Sequence, residues 1–223
     1  MSRCTQDSSK HLVCGDASPL GIDPRFPKFA APRFFSMEAD SLARVTLNTN
    51  RLSLRPFEPK DLELYTARIF ADPEVMRYLP TRDAAPSERA ERTMDFFNDH
   101  WTQFSYGPWA VVEKASGELI GHCGLRFIDE IQETEVLYAF GKAFWRKGYA
   151  SEAARASIGF GFWQIELEQI IALAVPENIA SRKVMEHCGL QYEKDAHLFG
   201  LDCVYYAIKR TDYLKTVKDL KPS

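Results

Sequence analysis

The sequence predicts an α+β fold, built on a mixed, mostly antiparallel central sheet with helices on both faces. Two patterns carry this prediction. Strand patterns at 109–113 and 118–128 are separated only by the turn 114–117, which favours an antiparallel hairpin. Farther along, a strand, a helix and a second strand follow one another across 134–175, and such a unit indicates one parallel pair. The length of 223 residues fits one domain with an extension better than two domains.

The elements before the hairpin are one strand and two helices. Alternation at 51–57 predicts the strand. Pro59 opens a helix that continues to about Phe70, because proline is favoured in the first turn of a helix. The segment 86–104 predicts a second helix, since apolar side chains recur there at spacings of three and four residues. These side chains are Ala90, Met94, Phe97 and Trp101.

The elements after the hairpin alternate between strands and helices before two final strands. They are strand 134–140, helix 148–163, strand 169–175, helix 178–188 and strands 191–199 and 203–209. The strand 169–175 is predicted to be buried. Gly189 follows helix 178–188 at the position where glycine commonly ends a helix.

The two ends of the chain differ from its middle. Residues 1–47 show no long helical or strand period, and serine, aspartate, proline and glycine are frequent there. We therefore expect a poorly ordered N-terminal extension. Residues 48–215 hold every predicted element and form one domain, and residues 216–223 form a C-terminal tail.

Composition and cysteine usage exclude several classes of protein. The net charge of −3 gives no bulk attraction to nucleic acid or to an anionic membrane. No apolar run approaches a membrane span, and the N-terminus lacks the apolar core of a secretory signal. The cysteines are odd in number and scattered, and the histidines lack metal-binding spacing, which favours reduced thiols in the cytoplasm and no metal. The cysteines are Cys4, Cys14, Cys123, Cys188 and Cys203.

The most informative segment is a basic turn, 144–153, that opens directly into a helix. Gly148 allows a tight turn, and the small residues Ala150 and Ser151 leave the backbone N–H groups open. These donors and the positive end of the helix dipole make a site for a pyrophosphate. Positive charge is added by Arg146 and Lys147.

Neither of two common nucleotide-binding patterns explains this segment. The P-loop string G-x-x-x-x-G-K-[ST] does not occur in the sequence. Gly159 and Gly161 give only part of the dinucleotide fingerprint and fall late in the helix rather than at its start. Taken alone, the segment leaves an ordinary loop and helix start as the alternative.

Six segments occur in an order and spacing that are specific together, although each is weak alone. They are RLSLRP (51–56), GHCGL (121–125), EVLY (135–138), WRKGYASEA (145–153), NIASRKVM (178–185) and GL (189–190). With this order of elements, the sequence resembles the GNAT superfamily of acyl-CoA-dependent N-acetyltransferases over about 50–213. It is most similar to the group of the ribosomal-protein N-terminal acetyltransferases RimJ and RimL. Trp145 departs from the family, which usually has glutamine or arginine there.

The resemblance implies acetyl-CoA as co-substrate, in a V-shaped cleft where strand 134–140 splays from strand 169–175. The pantetheine arm would pair with the backbone at Leu137, Tyr138, Ala139 and Phe140. The pyrophosphate would lie on the amides of Arg146, Lys147, Gly148, Tyr149, Ala150 and Ser151. Helix 178–188 would flank the pantetheine, with one helical face formed by Asn178, Ser181 and Met185.

The resemblance also implies direct transfer of the acyl group to an amine, without a covalent enzyme intermediate. The amine must lose a proton, and Glu135, at the start of the splayed strand, is the candidate base; a surface carboxylate without a role is the alternative. Many members carry a tyrosine as general acid where this chain has Met185, which cannot donate a proton. Ser181, one turn earlier, is the candidate substitute near the sulfur, and an ordinary helix-surface serine is the alternative.

His122 and Cys123 are neighbours on a predicted strand, and a nucleophile pair is the tempting interpretation. Adjacent strand residues point to opposite faces of a sheet, so the two side chains diverge. We therefore expect core or supporting positions for both.

These inferences predict a cytoplasmic N-acetyltransferase that moves the acetyl group of acetyl-CoA to a primary amine, either a protein N-terminus or a small molecule. One alternative is a non-catalytic acyl-CoA-binding sensor or interaction module, which the missing tyrosine favours. Another is a transferase that uses a different acyl-CoA, such as succinyl-CoA. The predicted partner is the amine acceptor, with no nucleic acid and no membrane, and a homodimer stays open because dimers are common in the family.

Overall fold

The structure is a computed structural model that describes residues 45–79 and 84–219. The predicted N-terminal extension lies outside the described residues up to residue 44. Its last residues belong to the sheet domain, since Leu47 pairs with Leu54 and the Val45 carbonyl accepts a hydrogen bond from the Trp109 indole at 2.8 Å. The domain therefore reaches back at least to Val45.

Eight strands form one open sheet in the described part of the chain. They are β1 Leu47–Asn48, β2 Leu52–Arg55, β3 Pro108–Glu113, β4 Leu119–Ile128, β5 Glu133–Phe140, β6 Gln169–Ala174, β7 Gln191–Leu198 and β8 Leu201–Lys209. Their order across the sheet is β1-β2-β3-β4-β5-β6-β8-β7. Only β5 and β6 are parallel, and every other neighbouring pair is antiparallel. The predicted mixed, mostly antiparallel sheet is confirmed.

Six α-helices accompany the sheet within the described ranges. They are α1 Leu62–Tyr65, α2 Pro73–Met76, α3 Pro86–Phe104, α4 Tyr149–Trp163, α5 Ile179–His187 and α6 Arg210–Asp219. α1 is the middle of the predicted helix 59–70, which begins as a 3-10 turn and ends as a π turn. α2 and α6 were not predicted, and α6 continues past residue 215, where the domain was expected to end. None of the described helices is long and apolar enough to cross a membrane.

Helices pack on both faces of the sheet, as predicted. On one face, α4 covers a layer that contains Trp109, Leu125 and Val136. On the other face, α1 and α3 cover a layer that contains Leu137 and Ala139. Because side chains alternate along a strand, successive residues of β5 belong to different layers.

β5 and β6 stay together only near their beginnings. Within the described residues, their parallel register consists of the single pair Glu135 and Ile171. By contrast, β5 pairs with β4 along all eight of its residues, and β6 pairs with β8 along all six. The strands therefore separate beyond Glu135, which confirms the V-shaped cleft. α4 and α5 follow the open ends of β5 and β6, so both helices begin near the mouth of the cleft.

Candidate active site

The backbone of β5 supplies hydrogen-bonding groups to the cleft. Along an antiparallel strand, residues alternate between bonding the neighbouring strand and facing away from it. The Gly141 amide donates to the Ile120 carbonyl of β4 at 2.9 Å, which sets this alternation for the residues before it. The backbone groups of Tyr138 and Phe140 consequently face the cleft, whereas those of Leu137 and Ala139 face β4.

The turn between β5 and α4 is held in a specific conformation. The Trp145 indole donates to the Phe140 carbonyl at 2.6 Å, which fixes the turn against the end of β5. Arg146 and Gly148 have positive φ angles of 60° and 79°. Glycine adopts such an angle without strain, whereas arginine does so uncommonly. The tight turn predicted from Gly148 is therefore present, and it contains a second residue with positive φ, Arg146.

This turn leaves a run of backbone N–H groups without acceptors. The Glu152 amide donates to the Gly148 carbonyl at 3.0 Å and closes the first turn of α4. Among the residues that the structure describes, none accepts a hydrogen bond from the amides of 146–151. The Tyr149 side chain is buried and its phenol bonds Glu113, so Tyr149 offers only its amide. Free amides at the N-terminus of a helix, together with the helix dipole, are groups that favour an anion.

Arg51, which directly precedes β2, stabilises the turn. Its guanidinium donates to the Lys147 carbonyl at 2.8 Å and pairs with Glu152 at 2.6 Å. Glu152 also accepts hydrogen bonds from the Thr49 hydroxyl at 2.6 Å and the Arg51 amide at 2.9 Å. Burial opposes ionisation of Glu152, but these bonds outweigh it and lower the pKa of the carboxyl. The first turn of α4 is thus tied to the sheet while its amides stay free.

A cavity of about 760 Å³ adjoins the turn. Gly148 and Ser151 belong to its lining, together with Arg51, Arg155 and His187. Arg155 donates to the His187 carbonyl at 2.6 Å, which ties α4 to the end of α5. Two guanidinium groups beside an amide-rich turn suit a ligand that carries phosphates.

Ser181 lies in the first turn of α5. Asn178 caps this helix, since its side-chain oxygen accepts a hydrogen bond from the Ser181 amide at 3.1 Å. The Tyr138 phenol oxygen is 3.0 Å from the Ser181 hydroxyl and donates to the Ser181 carbonyl at 3.1 Å. Met185, one turn later, is buried. The sequence predicts a role only for the Tyr138 backbone, because no local pattern indicates a side-chain contact between residues 43 positions apart.

Glu135 stands at the last pair before β5 and β6 separate, and it is 5% exposed. Its carboxylate forms an ion pair with Arg126, which lies directly opposite on β4. Burial raises the pKa of Glu135, and the positive charge of Arg126 opposes this rise. Arg126 was not predicted from the sequence. The register of the β4–β5 hairpin would have placed it opposite Glu135, but that register depends on the turn, which the sequence did not define.

Glu135 and Ser181 approach the cleft from different faces of the sheet. Alternation along β5 puts Glu135 in the layer of Leu137 and Ala139, on the side of α1 and α3. Tyr138, which contacts Ser181, points to the opposite side, toward α4 and α5. A group held between β5 and β6 would therefore meet a carboxylate on one side and two hydroxyls on the other.

His122 and Cys123 point to opposite faces of β4, as expected. His122 Nδ1 is 2.8 Å from the Tyr65 phenol oxygen, and burial lowers the pKa of His122 to about 3. Cys123 Sγ lies in the other layer, 3.5 Å from the Ser157 hydroxyl, and burial raises the Cys123 pKa to about 12. The two side chains do not form a nucleophile pair. In the described part of the chain, no group of three or more His, Cys, Asp and Glu side chains could hold a metal ion.

Comparisons with known proteins relate this chain to acetyltransferases. The family model of the acetyltransferase (GNAT) domain matches residues 51–191. The uncharacterised N-acetyltransferase p20 of Bacillus licheniformis is 33% identical over 149 residues, which are 66% of this chain and 83% of that protein. The FsC-acetyl coenzyme A-N(2)-transacetylase of Aspergillus fumigatus is 28% identical over 193 residues, which are 79% of this chain and 81% of that protein.

A solved structure shares the fold. RimJ of Mycobacterium smegmatis, in complex with CoA-disulfide, is similar with a TM-score of 0.61 and 19% sequence identity. The match covers 77% of this chain and 85% of that one. At this identity it shows the fold alone. The family model spans more than half of the sequence, and the chain therefore belongs to the GNAT family of acetyltransferases.

Proposed function

We propose that this protein is an N-acetyltransferase that moves the acetyl group of acetyl-CoA to a primary amine by direct attack. The observation that carries the proposal is the cleft between β5 and β6, which opens between Glu135 on one face and Ser181 with Tyr138 on the other. Membership of the acetyltransferase family supports the type of reaction. The printed name of the Aspergillus relative, which contains both acetyl coenzyme A and a nitrogen acceptor, supports the donor.

Acetyl-CoA would lie along the cleft with its nucleotide at the mouth. The pantetheine amides would pair with the cleft-facing backbone of Tyr138 and Phe140, much as an added strand would. The pyrophosphate would rest on the free amides of 146–151. The nucleotide end would enter the adjoining cavity, where Arg51 and Arg155 can pair with phosphate oxygens.

The acceptor would approach from the face of Glu135. A primary amine is protonated at neutral pH and attacks only after it loses that proton. The buried carboxylate of Glu135 has a raised pKa, so it accepts a proton more readily than an exposed glutamate. The amine nitrogen would then attack the acetyl carbon. The Tyr138 amide, the first cleft-facing N–H beyond the last β5–β6 pair, would stabilise the oxyanion.

The coenzyme A thiolate would leave toward α5. The Tyr138 phenol donates to the Ser181 carbonyl and keeps this turn of α5 in place. The Ser181 hydroxyl, 3.0 Å from the phenol oxygen, would turn from that oxygen to donate its one proton to the sulfur. Alkyl thiols have a pKa of about 8.5, so a hydrogen bond to the thiolate suffices near neutral pH. Together the two hydroxyls take the role that a tyrosine at the position of Met185 has in many members of the family.

The alternative of a non-catalytic acyl-CoA-binding module is weakened by the same contact. That alternative depended on the missing tyrosine, because a cleft without a proton donor could bind acyl-CoA and not react. The Tyr138–Ser181 pair provides donors on the expected side of the cleft. The structure therefore favours a reactive site over a binding module.

Amine-dependent release of coenzyme A from acetyl-CoA by the full chain tests the proposal. The amine panel contains amino acids, polyamines and short peptides, and mass spectrometry identifies the N-acetyl product. The double variant Glu135→Gln/Ser181→Ala is the control for non-enzymatic acetylation, and succinyl-CoA is the comparator donor. We expect release with at least one amine and acetyl-CoA. Binding of acetyl-CoA without transfer to any amine would contradict the proposal and favour the binding module.

A further inference from the structure

Arg126 has an unused donor edge next to the proposed base. A guanidinium carries five N–H donors, and Nη2 of Arg126 pairs with Glu135. Within the described residues, the buried Nε of Arg126 has no hydrogen-bond partner. The side chain as a whole is 29% exposed, and Nη1 is neither buried nor paired with a described residue, so a ligand can reach the terminal nitrogens although it cannot reach Nε. The terminal N–H groups of a planar guanidinium match the two oxygens of a carboxylate.

Arg126 lies beside the place where the acceptor amine would bind. Arg126 and Glu135 are directly paired residues of β4 and β5 and therefore share one face of the sheet. That pair also marks the apex of the cleft, because Glu135 forms the last contact with β6. An amine that gives its proton to Glu135 and attacks an acetyl group in the cleft must therefore lie close to the Arg126 side chain.

The surroundings of Arg126 combine positive charge, negative charge and an aromatic wall. Phe199 lies at the tip of the β7–β8 hairpin and is 54% exposed. The centroid of its ring is 5.8 Å from the guanidinium carbon of Arg126. Glu133 precedes Glu135 on the same face of β5 and lies near Gln169, at 3.4 Å. The carboxylates suit an ammonium group, the guanidinium suits a carboxylate, and the ring suits an apolar side chain.

We propose that Arg126 binds a carboxylate of the acceptor, so that the acceptors are free amino acids rather than peptide N-termini. A free amino acid presents its ammonium and carboxylate groups on one carbon, which matches the adjacent Glu135 and Arg126. A peptide N-terminus has a neutral carbonyl at the place of the carboxylate and offers the guanidinium no negative charge. This inference rests on the proposed acetyl transfer and narrows its acceptor.

Binding of the acceptor would also prepare the base. The incoming carboxylate would share the positive charge of Arg126, so Glu135 would stay buried while its charge is neutralised less completely. Glu135 then takes one proton from the ammonium, the nitrogen forms a bond to the acetyl carbon, and the carbon–sulfur bond breaks. The electron pair of that bond leaves with the thiolate, and the tetrahedral nitrogen loses its second proton to solvent. The products are the N-acetyl amino acid and coenzyme A, and no further reactant is needed.

The experiment compares each free amino acid with its own α-carboxamide and with a dipeptide that begins with it. The amine of a carboxamide is less basic, so at neutral pH the carboxamide offers more free amine, and a preference for the acid cannot come from amine basicity. We expect kcat/KM for the acid to exceed that for the carboxamide by roughly tenfold or more, because the carboxamide lacks the charge that Arg126 would bind.

Variants of Arg126 test whether the guanidinium causes the preference for the acid over its carboxamide. Arg126→Gln should abolish the ratio between acid and carboxamide while the affinity for acetyl-CoA stays unchanged. If Arg126→Gln does not fold, Arg126→Lys keeps the charge beside Glu135 and lacks the planar guanidinium, and the ratio should fall severalfold while it stays above one. Arg92→Gln, on the exposed side of α3, is the matched control and should keep the wild-type ratio.

The outcomes separate this inference from the proposed function. Equal acetylation of acids, carboxamides and dipeptides would overturn the inference and leave the acetyltransferase proposal intact. An equal loss of rate with acid and carboxamide in Arg126→Gln would also overturn it, because Arg126 would then only neutralise Glu135. Acetylation of none of these amines, nor of any other amine, would overturn both.

Discussion

At the scale of single residues, the proposed chemistry depends on two pairs of side chains on opposite faces of β5. Glu135 is buried with Arg126 on the acceptor side, and Ser181 contacts Tyr138 on the side of the leaving sulfur. A buried carboxylate needs a positive partner or a proton. Arg126 supplies the first in the free protein, and the acceptor amine would supply the second during the reaction.

Replacement of Ser181 tests the leaving-group side. Ser181→Ala removes the hydroxyl and should lower kcat by roughly ten- to a thousandfold, with little change in the KM for acetyl-CoA, because the hydroxyl acts on the developing thiolate. Tyr138→Phe should lower kcat less, since it only supports Ser181. Ser87→Ala, on the exposed first turn of α3, is the control. A wild-type kcat in Ser181→Ala would remove Ser181 from the mechanism.

Replacement of Glu135 tests the base. Glu135→Gln should lower kcat/KM by roughly 10²- to 10⁴-fold. The base works only when it is deprotonated, so the wild-type rate should fall as pH drops through the raised pKa of Glu135, above its usual 4.5. Glu135→Gln should lose this acidic limb. The rate also falls at low pH because the acceptor amine becomes protonated, and this effect shifts with the pKa of the amine. Measurements with two acceptors of different basicity therefore distinguish it from the titration of Glu135. An acidic limb that persists unchanged in Glu135→Gln would contradict the assignment.

At the scale of elements, the turn 145–149 is shaped by contacts that keep its amides free. Trp145 holds it to the end of β5, and Arg51 with Glu152 holds it to β2 and α4. Gly148 has a φ of 79°, and a Cβ added there would lie 3.4 Å from the Arg51 guanidinium. A side chain at this position would therefore lie directly at the anion site.

A charge at Gly148 tests the pyrophosphate site. Gly148→Glu should weaken the binding of acetyl-CoA by at least about a hundredfold, since it adds bulk, backbone strain and a negative charge beside the phosphates. Gly200→Glu is a matched control, because Gly200 also has a positive φ of 74° and open space around it, at the tip of the β7–β8 hairpin. Calorimetry of both variants measures the effect. Equal affinities of Gly148→Glu and Gly200→Glu would exclude the turn from the binding site.

The elements that the sequence predicted well are those with local signals. The period of α3, the hairpin of β3 and β4 and the turn at Gly148 come from neighbouring residues, and the structure has all three. α6 was missed, because its sequence, RTDYLKTVKD, is mostly charged or polar and gives only a weak apolar period. The Arg126–Glu135 and Tyr138–Ser181 pairs were missed because they depend on strand register and on the placement of α5.

At the scale of the whole molecule, the layer beneath α1 and α3 contains two buried histidines. His122 bonds the Tyr65 phenol, and His100 accepts a bond from the Phe127 amide at 2.9 Å while its other ring nitrogen donates to the Tyr106 carbonyl at 2.7 Å. Burial lowers the pKa of His100 to about 4 and that of His122 to about 3. Both are therefore neutral in the folded protein at physiological pH.

These histidines predict a loss of stability in mild acid. Their folded pKa values lie below the unfolded value of about 6.5, so their contribution is complete above pH 6.5 and is lost as pH falls toward 4. Each should cost up to roughly 1.4 kcal/mol of unfolding free energy per pH unit in this window. Urea denaturation from pH 7 to 5 measures the slope, which should be smaller in His122→Phe than in the wild type. Equal slopes for wild type and His122→Phe would contradict the prediction for His122.

A calorimetric titration of the full chain with acetyl-CoA tests whether the cleft between β5 and β6 holds the coenzyme. Free coenzyme A and succinyl-CoA serve as comparators. We predict binding of acetyl-CoA at one site per chain with a Kd in the micromolar range or below. Binding of none of the three would mean that the cleft does not accept the coenzyme, and it would contradict both the transferase and the acyl-CoA-binding alternatives.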